Sequence, residues 1–453
     1  MGGRNAVVIG GGLAGTLAVR ALLGHTERIT VVERDRYPQR PEFRKGVPQA
    51  RHLHIFVTAG QEALDELLPG TCAELAAAGA RTLEIPRDLL TCGATGWQIR
   101  FHEGRHRFMS CTRPLLDHVV RRRVLAAAAE SGTEVEILEA TEAVALLGSA
   151  QRVTGVRVRG RGERRGEREI PATLVVDAAG RASRAPRWLA ELGRPAPREE
   201  TVDAGLQYAT RALRLPTPPD AAVYIPYRRD NFAGGGLLPV EDGTWLLTVS
   251  GIGGLAAPSS EAEFAAFTGR LVHPYLHELV AGAEPLSPVH GSRETSNRRR
   301  HYHAPGGVPE GFVATGDAAC SFNPVYGQGM AVAALGALAL RRVLDERGGP
   351  RPGFAPVAQR ALARAADAAW MMAAGADRPY AEAGKATAPA LSQRVQGWYF
   401  ERFLARAAVD PVVGAVYRDV VTLTAPPARM FSPAVALRTV LLPRRPALAD
   451  PPR

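Results

Sequence analysis

Gly316-Asp317-Ala318, followed by Asn323-Pro324-Val325-Tyr326-Gly327-Gln328-Gly329-Met330, sets a carboxylate at the end of an apolar run and a glycine-rich turn just beyond it. Gly311 to Thr315 ahead of it reads as a buried strand, and Met330 to Leu340 behind it as an apolar helix. A carboxylate accepts hydrogen bonds from hydroxyls, and the free N–H groups of a helix start stabilise negative charge. Together they suit a sugar alcohol joined to an electron-rich ring. Taken alone, Gly-Asp after a strand is more often a plain turn.

The start of the chain decides between the two. Ala6-Val7-Val8-Ile9 is an apolar strand, Gly10-Gly11-Gly12-Leu13-Ala14-Gly15 supplies G-x-G-x-x-G, and Thr16 to Leu23 has a helical pattern. Gly10 permits the tight turn, Gly12 lets backbone approach a pyrophosphate, and Gly15 lets helix and strand pack closely. A second strand, Arg28 to Val32, ends on Glu33-Arg34, where a carboxylate meets ribose hydroxyls. Strand, turn, helix and acid in this order point to a bound dinucleotide. NAD and FAD sites share these glycines, so the motif does not choose between them.

A chain of 453 residues with 46% hydrophobic side chains suffices for two or three domains around a large core. The formal charge is +11, carried almost wholly by arginine, since Lys45 and Lys385 are the only lysines. The densest basic patches, Arg121 to Arg123, Arg161 to Arg168 and Arg298 to Arg300, lack interleaved aromatics and read as solvated faces rather than a nucleic-acid surface. Cys72, Cys92, Cys111 and Cys320 have no C-x-x-C spacing, which fits neither a zinc site nor a disulfide framework and leads to a cytoplasmic location as the expectation. Ala6 to Leu23 is broken by glycines and Arg20 and is not read as a signal peptide, and no apolar run is long enough to span a bilayer.

Between the two motifs, Arg44-Lys45-Gly46-Val47-Pro48-Gln49-Ala50-Arg51-His52-Leu53-His54 leaves the alternating strand and helix rhythm, and Ala59 to Leu68 follows as a helix. On this run, the first fingerprint and the Asp317 loop, the sequence resembles the flavoprotein monooxygenases of the p-hydroxybenzoate hydroxylase type. Within them it looks most like squalene-epoxidase-like enzymes acting on alkenes of polyketides and terpenoids, the polyether epoxidases above all. The resemblance implies FAD. Gly10, Gly12, Gly15, Glu33 and Arg34 would hold its adenosine half, and Arg51 and Arg113 would contact it. Asp317 would bind the ribityl hydroxyls. The backbone of Gly327, Gln328 and Gly329, continuing to Met330, would face the pyrimidine end, while Pro324, Tyr326 and the neighbourhood of His52 would line the reacting edge. His54 is expected to face the core. The second fingerprint of these hydroxylases corresponds to Asp177-Ala178-Ala179-Gly180, with Ala179 where the family has Asp; the electron source is therefore left as NAD(P)H or a separate flavin reductase.

The fold implied is α/β: a Rossmann-like FAD-binding domain from residues 1–85, 105–200 and 295–350, with an inserted antiparallel β-sheet substrate domain from 86–104 and 201–294, and a C-terminal helical region, 351–453. Ala94 to Met109 alternates like strands of a small sheet, and Thr112-Arg113-Pro114 opens a helix. Tyr208–Leu215, Ala222–Ile225, Gly234–Pro239 and Thr244–Ser250 read as antiparallel strands with Glu241-Asp242-Gly243 as a hairpin turn. Phe354 to Ala374 and Leu391 to Ala408 read as long helices. The apolar stretches near Pro426-Pro427 and Leu441-Leu442-Pro443 are expected to pack on the domain, with peripheral membrane contact as the rival.

The activity implied is transfer of one atom of O2, through a flavin hydroperoxide, to a lipophilic natural-product intermediate, with epoxidation preferred over aromatic hydroxylation. Halogenation is disfavoured: a W-x-W-x-I-P motif is absent, and Lys45 and Lys385 are the only candidates for its lysine. An O2-independent isoprenoid reductase and a non-enzymatic flavin carrier are the remaining alternatives.

Overall fold

The computed structural model describes residues 4–101, 104–161, 166–382, 391–443 and 445–452; Lys385, part of the Arg161–Arg168 patch and two residues of the Ala94–Met109 stretch lie outside them. The fold is built on a five-stranded sheet in the order Phe312–Ala314, Leu174–Asp177, Asn5–Ile9, Arg28–Val32, Glu134–Leu138, with every neighbouring pair parallel. Parallel strands joined by crossovers are covered on both faces, which is why these segments are nearly continuous in apolar residues. Val7, Val8, Val175 and Val176 are almost wholly buried. The helices Leu13–Leu22, Arg113–Ser131 and Gly329–Arg347 pack over this sheet and one another.

The strand that carries Asp317 is the edge of that sheet. An exposed edge offers unpaired backbone groups, and here the helix Phe354–Ala381 covers it. Its buried Gln359 accepts from Ala314 N–H at 2.8 Å and donates to Ala314 C=O at 3.0 Å.

A second sheet of eight strands is formed by Leu89–Gly93, Gly96–Trp97 and segments between Gln207 and Ser292, including the hairpin Ala233–Pro239 and Trp245–Gly251. The antiparallel strands fall where the alternation places them. Ala94 to Met109 does not form a sheet of its own. Gly96–Trp97 pairs with Cys92–Gly93 in the eight-stranded sheet, whereas His106–Ser110 joins Ile55–Val57 and Arg81–Ile85 in a three-stranded one. The alternation was shared by two sheets, and only the pairing partner separates them.

Two helix limits also differ from expectation. The first helix begins at Leu13 with Gly12 as its N-cap, inside the glycine run. The helix that starts at Phe354 continues past Ala374, Gly375 and Pro379 to Ala381. Pro379 forfeits the N–H bond to the Gly375 carbonyl four residues back, a loss that the packing of this long helix on one face outweighs. Farther on, Leu391–Ala407, Pro411–Val421 and Pro433–Leu441 enclose a small core around Phe403, Val413, Val420 and Met430. Pro427 is buried as expected, but Leu441 is 70% exposed. Among the described residues no helix is long and apolar enough to cross a membrane.

Candidate functional site

The two glycine motifs meet at the C-terminal ends of the parallel strands, where crevices in such sheets bind ligands. Gly316 has φ +56°, and a Cβ on it would lie 2.6 Å from Ala14 Cβ, so the Asp317 turn sits directly against the start of the first helix. The first glycines serve different ends. A Cβ at Gly10 (φ +94°) would strike Ala178 C=O at 2.6 Å, and one at Gly15 would strike Gly10 C=O at 1.8 Å. These two are required by the protein itself. Gly12 has φ −73°, and a Cβ there would meet nothing within 4 Å. Neither backbone strain nor crowding accounts for glycine at that position, and the open face lies at the N-terminus of the first helix, where backbone N–H groups suit an anion.

Glu33 is buried at the end of its strand. It accepts from Gly11 N–H at 2.8 Å and from Asp35 N–H at 2.9 Å, and pairs with Arg44 at 3.2 Å. Arg44 and Tyr37, which sequence reasoning did not assign to the site, both donate to Gly11 C=O, at 3.1 and 2.8 Å. Their only sequence signal was an arginine and a tyrosine in an irregular segment. Arg34 and Arg51 are exposed: Arg34 donates to Gly46 C=O, and Arg51 lies over the Phe43 ring.

Asp317 is half-buried at the other end of the crevice, and its carboxylate has no hydrogen bond or ion pair with the described residues. Burial raises its pKa, opposed by Arg181, Arg113 and Arg298 nearby. A Cβ at Gly329 would have only Asp317 Oδ1 near it, at 4.0 Å, which leaves space between the carboxylate and the N-terminus of the Gly329–Arg347 helix. Arg113 starts its helix just after the Thr112 N-cap, is buried, and donates to Asp117 at 2.7 Å. Its charge also lowers the pKa of His54. Gly327 (φ +65°) closes the turn against Ile55. Met330 packs inward in the main core, so only its backbone faces the turn, and Pro324 is exposed.

His52 is buried against the eight-stranded sheet, with Nδ1 2.9 Å from Thr210 Oγ1, which is in turn 2.7 Å from Thr248 Oγ1. Its ring meets Tyr208 edge-on at 4.5 Å. Burial, then His54 and His290, lower its pKa to about 3, so the ring is neutral in ordinary buffers. His54 is half-buried, bonded through Nδ1 to His52 C=O at 2.8 Å, and burial followed by Arg113 lowers it to about 4.

Tyr326 brings in residues absent from the motifs. Its hydroxyl is 2.5 Å from Asp377 Oδ1 and 3.2 Å from the Tyr227 hydroxyl. Asp377, fully buried on the Phe354–Ala381 helix, also accepts from Asn297 Nδ2 at 2.6 Å and Asn323 Nδ2 at 2.9 Å. Burial raises its pKa, and these hydrogen bonds oppose the rise. Nothing in the spacing around Asp377 announced this; its partners lie 51 to 150 residues away.

Residues 4–347 match the family model described as FAD binding domain, and the chain belongs to that family. It is 36% identical over 420 residues to Protein Rv3254 of Mycobacterium tuberculosis, covering 90% of this chain and 87% of that protein. Among solved structures it is similar to the flavin-dependent brominase Bmp2, with TM-score 0.64, 16% identity and 92% of each chain covered. It is also similar to p-nitrophenol 4-monooxygenase PnpA from Pseudomonas putida DLL-E4, with TM-score 0.61, 15% identity, and 87% of this chain and 92% of that one covered. At such identities the structural likeness is one of fold. The open face of Gly12 and the Asp317 carboxylate, unpartnered among the described residues, fit FAD: a backbone that admits phosphate, and an acceptor for alcohols.

Proposed function

We propose that this chain is an FAD-dependent monooxygenase that transfers one oxygen atom of O2 to a lipophilic natural-product intermediate, epoxidising an alkene. The observation that carries the reading is the junction of the Gly12 and Asp317 crevice with the inner face of the eight-stranded sheet. There His52 and Tyr208 from one side, and Val325 and Tyr326 from the other, stand beside Tyr227 and Tyr380. We assign residues 1–85, 105–200 and 295–350 to cofactor binding, 86–104 and 201–294 to substrate, and 351–453 to a C-terminal helical region.

In this assignment Gly10 and Gly15 shape the turn, Gly12 and the first helix N-terminus receive the pyrophosphate, and Glu33, steadied by Arg44, accepts from the ribose. Asp317 accepts from the ribityl hydroxyls, and Arg113 offsets its charge. The amides at Gly327, Gln328 and Gly329 stabilise negative charge at the pyrimidine end. Reduced FAD with O2 supplies an electrophilic oxygen atom. The protein's own work is to hold the π bond beside Pro324 and keep water away, for which an aromatic and aliphatic wall serves. NAD(P)H or a separate flavin reductase would supply electrons; Ala179 removes the carboxylate that the family's second fingerprint carries.

Incubation with FAD, a reductant, 18O2 and a panel of polyene and aromatic substrates tests the reading. One labelled oxygen in an epoxide is the expected product. A labelled phenol would move the assignment to aromatic hydroxylation, and product formation without O2 would overturn oxygen transfer.

A further inference from the structure

The group around Asp377 has a fixed hydrogen-bond direction. Asn297 Oδ1 accepts from Asn323 N–H at 2.8 Å, and Asn323 Oδ1 accepts from Val325 N–H at 3.2 Å. Each amide oxygen is thereby committed to a backbone donor, so both NH2 groups must turn to Asp377 Oδ2. The other oxygen, Oδ1, faces the phenols, Tyr326 at 2.5 Å and Tyr227 at 3.5 Å. Two amide N–H groups on Oδ2 and two phenols on Oδ1 surround this carboxyl group, an arrangement that favours its ionised form, which accepts and cannot donate. Tyr326 therefore spends its one proton on Asp377, and its oxygen is left to accept.

Among the described residues the acceptors within reach of the Tyr227 proton, the Tyr326 oxygen at 3.2 Å and Asp377 at 3.5 Å, both lie inward. Its outward lone pairs are the free end of the chain. Tyr227 is half-buried, edge-on to Tyr380 at 5.5 Å, and Tyr380 is edge-on to Phe232, which is 41% exposed. The phenol pair thus adjoins a row of aromatic rings that ends at the exposed Phe232, and Tyr326 lies one residue beyond Val325 and two beyond Pro324.

We propose that Asp377 is a positioning residue that makes the Tyr227–Tyr326 pair a hydrogen-bond acceptor, so that the site selects substrates presenting a hydroxyl donor beside the group to be oxidised. The proposal rests on the monooxygenase reading for its location and adds a substrate feature to it: an apolar molecule carrying an alcohol or phenol. It also makes the helix Phe354–Ala381 a wall of the site, since Asp377 lies on the turn reached only past Gly375.

The variant that tests direction is Asp377→Asn. Its single oxygen is held by the two asparagine amides, so its NH2 must face the phenols, and Tyr326 becomes free to donate outward. The probes are 1-naphthol and 1-methoxynaphthalene, which differ in the donor alone, titrated calorimetrically into FAD-loaded protein and into protein without added FAD. We expect the wild type to bind the naphthol about ten-fold more tightly than the ether, the worth of one hydrogen bond. In Asp377→Asn that ratio falls to about one or below, and Tyr227→Phe, which keeps the ring and loses the outward oxygen, also abolishes it. A wild type that does not discriminate, fails to bind the naphthol, or keeps its preference in a folded Asp377→Asn or in Tyr227→Phe overturns the proposal. Failure to take up FAD is a separate result that sinks the monooxygenase reading and leaves the probe ratio readable.

Discussion

Asp177 ends one apolar strand of the parallel sheet and Asp317 follows another, but they are held differently. Asp177 accepts from Ser183 Oγ and, at 3.0 Å, from Ala179 N–H, with no exposure to water. Its removal leaves the buried Ser183 hydroxyl and the half-buried Ala179 N–H without this acceptor, at a cost of about 1–3 kcal/mol. Asp317 has no such duty among the described residues. Asp317→Ala is therefore expected to weaken FAD retention about ten-fold with the melting temperature of the FAD-free protein unchanged or raised, and Asp177→Ala to lower melting with the smaller effect on FAD. Fluorescence titration and thermal melts on both variants separate the two; equal effects on FAD would mean the clamp is misassigned. The glycines divide in the same way. Gly10→Ala places a Cβ against Ala178 C=O at a positive φ and should destabilise the FAD-free fold, whereas Gly12→Ala should melt like the wild type and lose FAD. A Gly12→Ala protein that binds FAD normally would remove the pyrophosphate from that position.

At the scale of elements, the edge strand Phe312–Ala314 delivers Asp317, and Gln359 holds it from the neighbouring helix. Gln359→Leu keeps the volume and leaves the Ala314 N–H and C=O unsatisfied. We expect a loss of about 2 kcal/mol or more in denaturant unfolding, with weaker FAD retention as the turn loosens; an unchanged midpoint would show that the helix covers the edge by packing alone. The segment that carries His52 and His54 gives a pH signature. The unfolded chain takes up two protons near pH 6.5, whereas the folded one takes them up only near 4 and 3. Both folded values are lowered, so stability is full above pH 6.5 and falls as pH drops through this window. His52→Gln should flatten that decline in melting curves between pH 7 and 4. A decline as steep as in the wild type would place the acid sensitivity elsewhere.

Over the whole molecule, a ligand spread between Glu33 and Gly329 binds only where both motifs are assembled, so FAD should stabilise the fold as a unit. At a hundred times its Kd the gain is about 2.7 kcal/mol, read as a rise in melting temperature with FAD concentration, and FMN, lacking the adenosine half, should give less. An FMN effect equal to that of FAD would empty the Gly10–Glu33 region of its role. Much of this was legible in the chain because it is encoded locally: turn glycines and strand ends lie within a few residues of one another, and the parallel sheet announces itself through strands apolar on both faces. The resemblance around Gly46 to His54 added FAD and pointed to Arg34 and Arg51, whose exposure no spacing could have told. Arg44 and Tyr37 escaped notice because hydrogen bonds to a backbone carbonyl leave no pattern in spacing. Asp377 is the extreme case, since a helix end that should stop before Gly375 runs on to Ala381 because tertiary packing outweighs local propensity. The sequence by itself determined the two motifs, their strands and the α/β class. Only the tertiary structure decided that their crevice meets the aromatic face of a second sheet, and that a carboxylate 51 residues past Tyr326 directs its proton, because a buried acid finds its donors through space and leaves no periodicity along the chain.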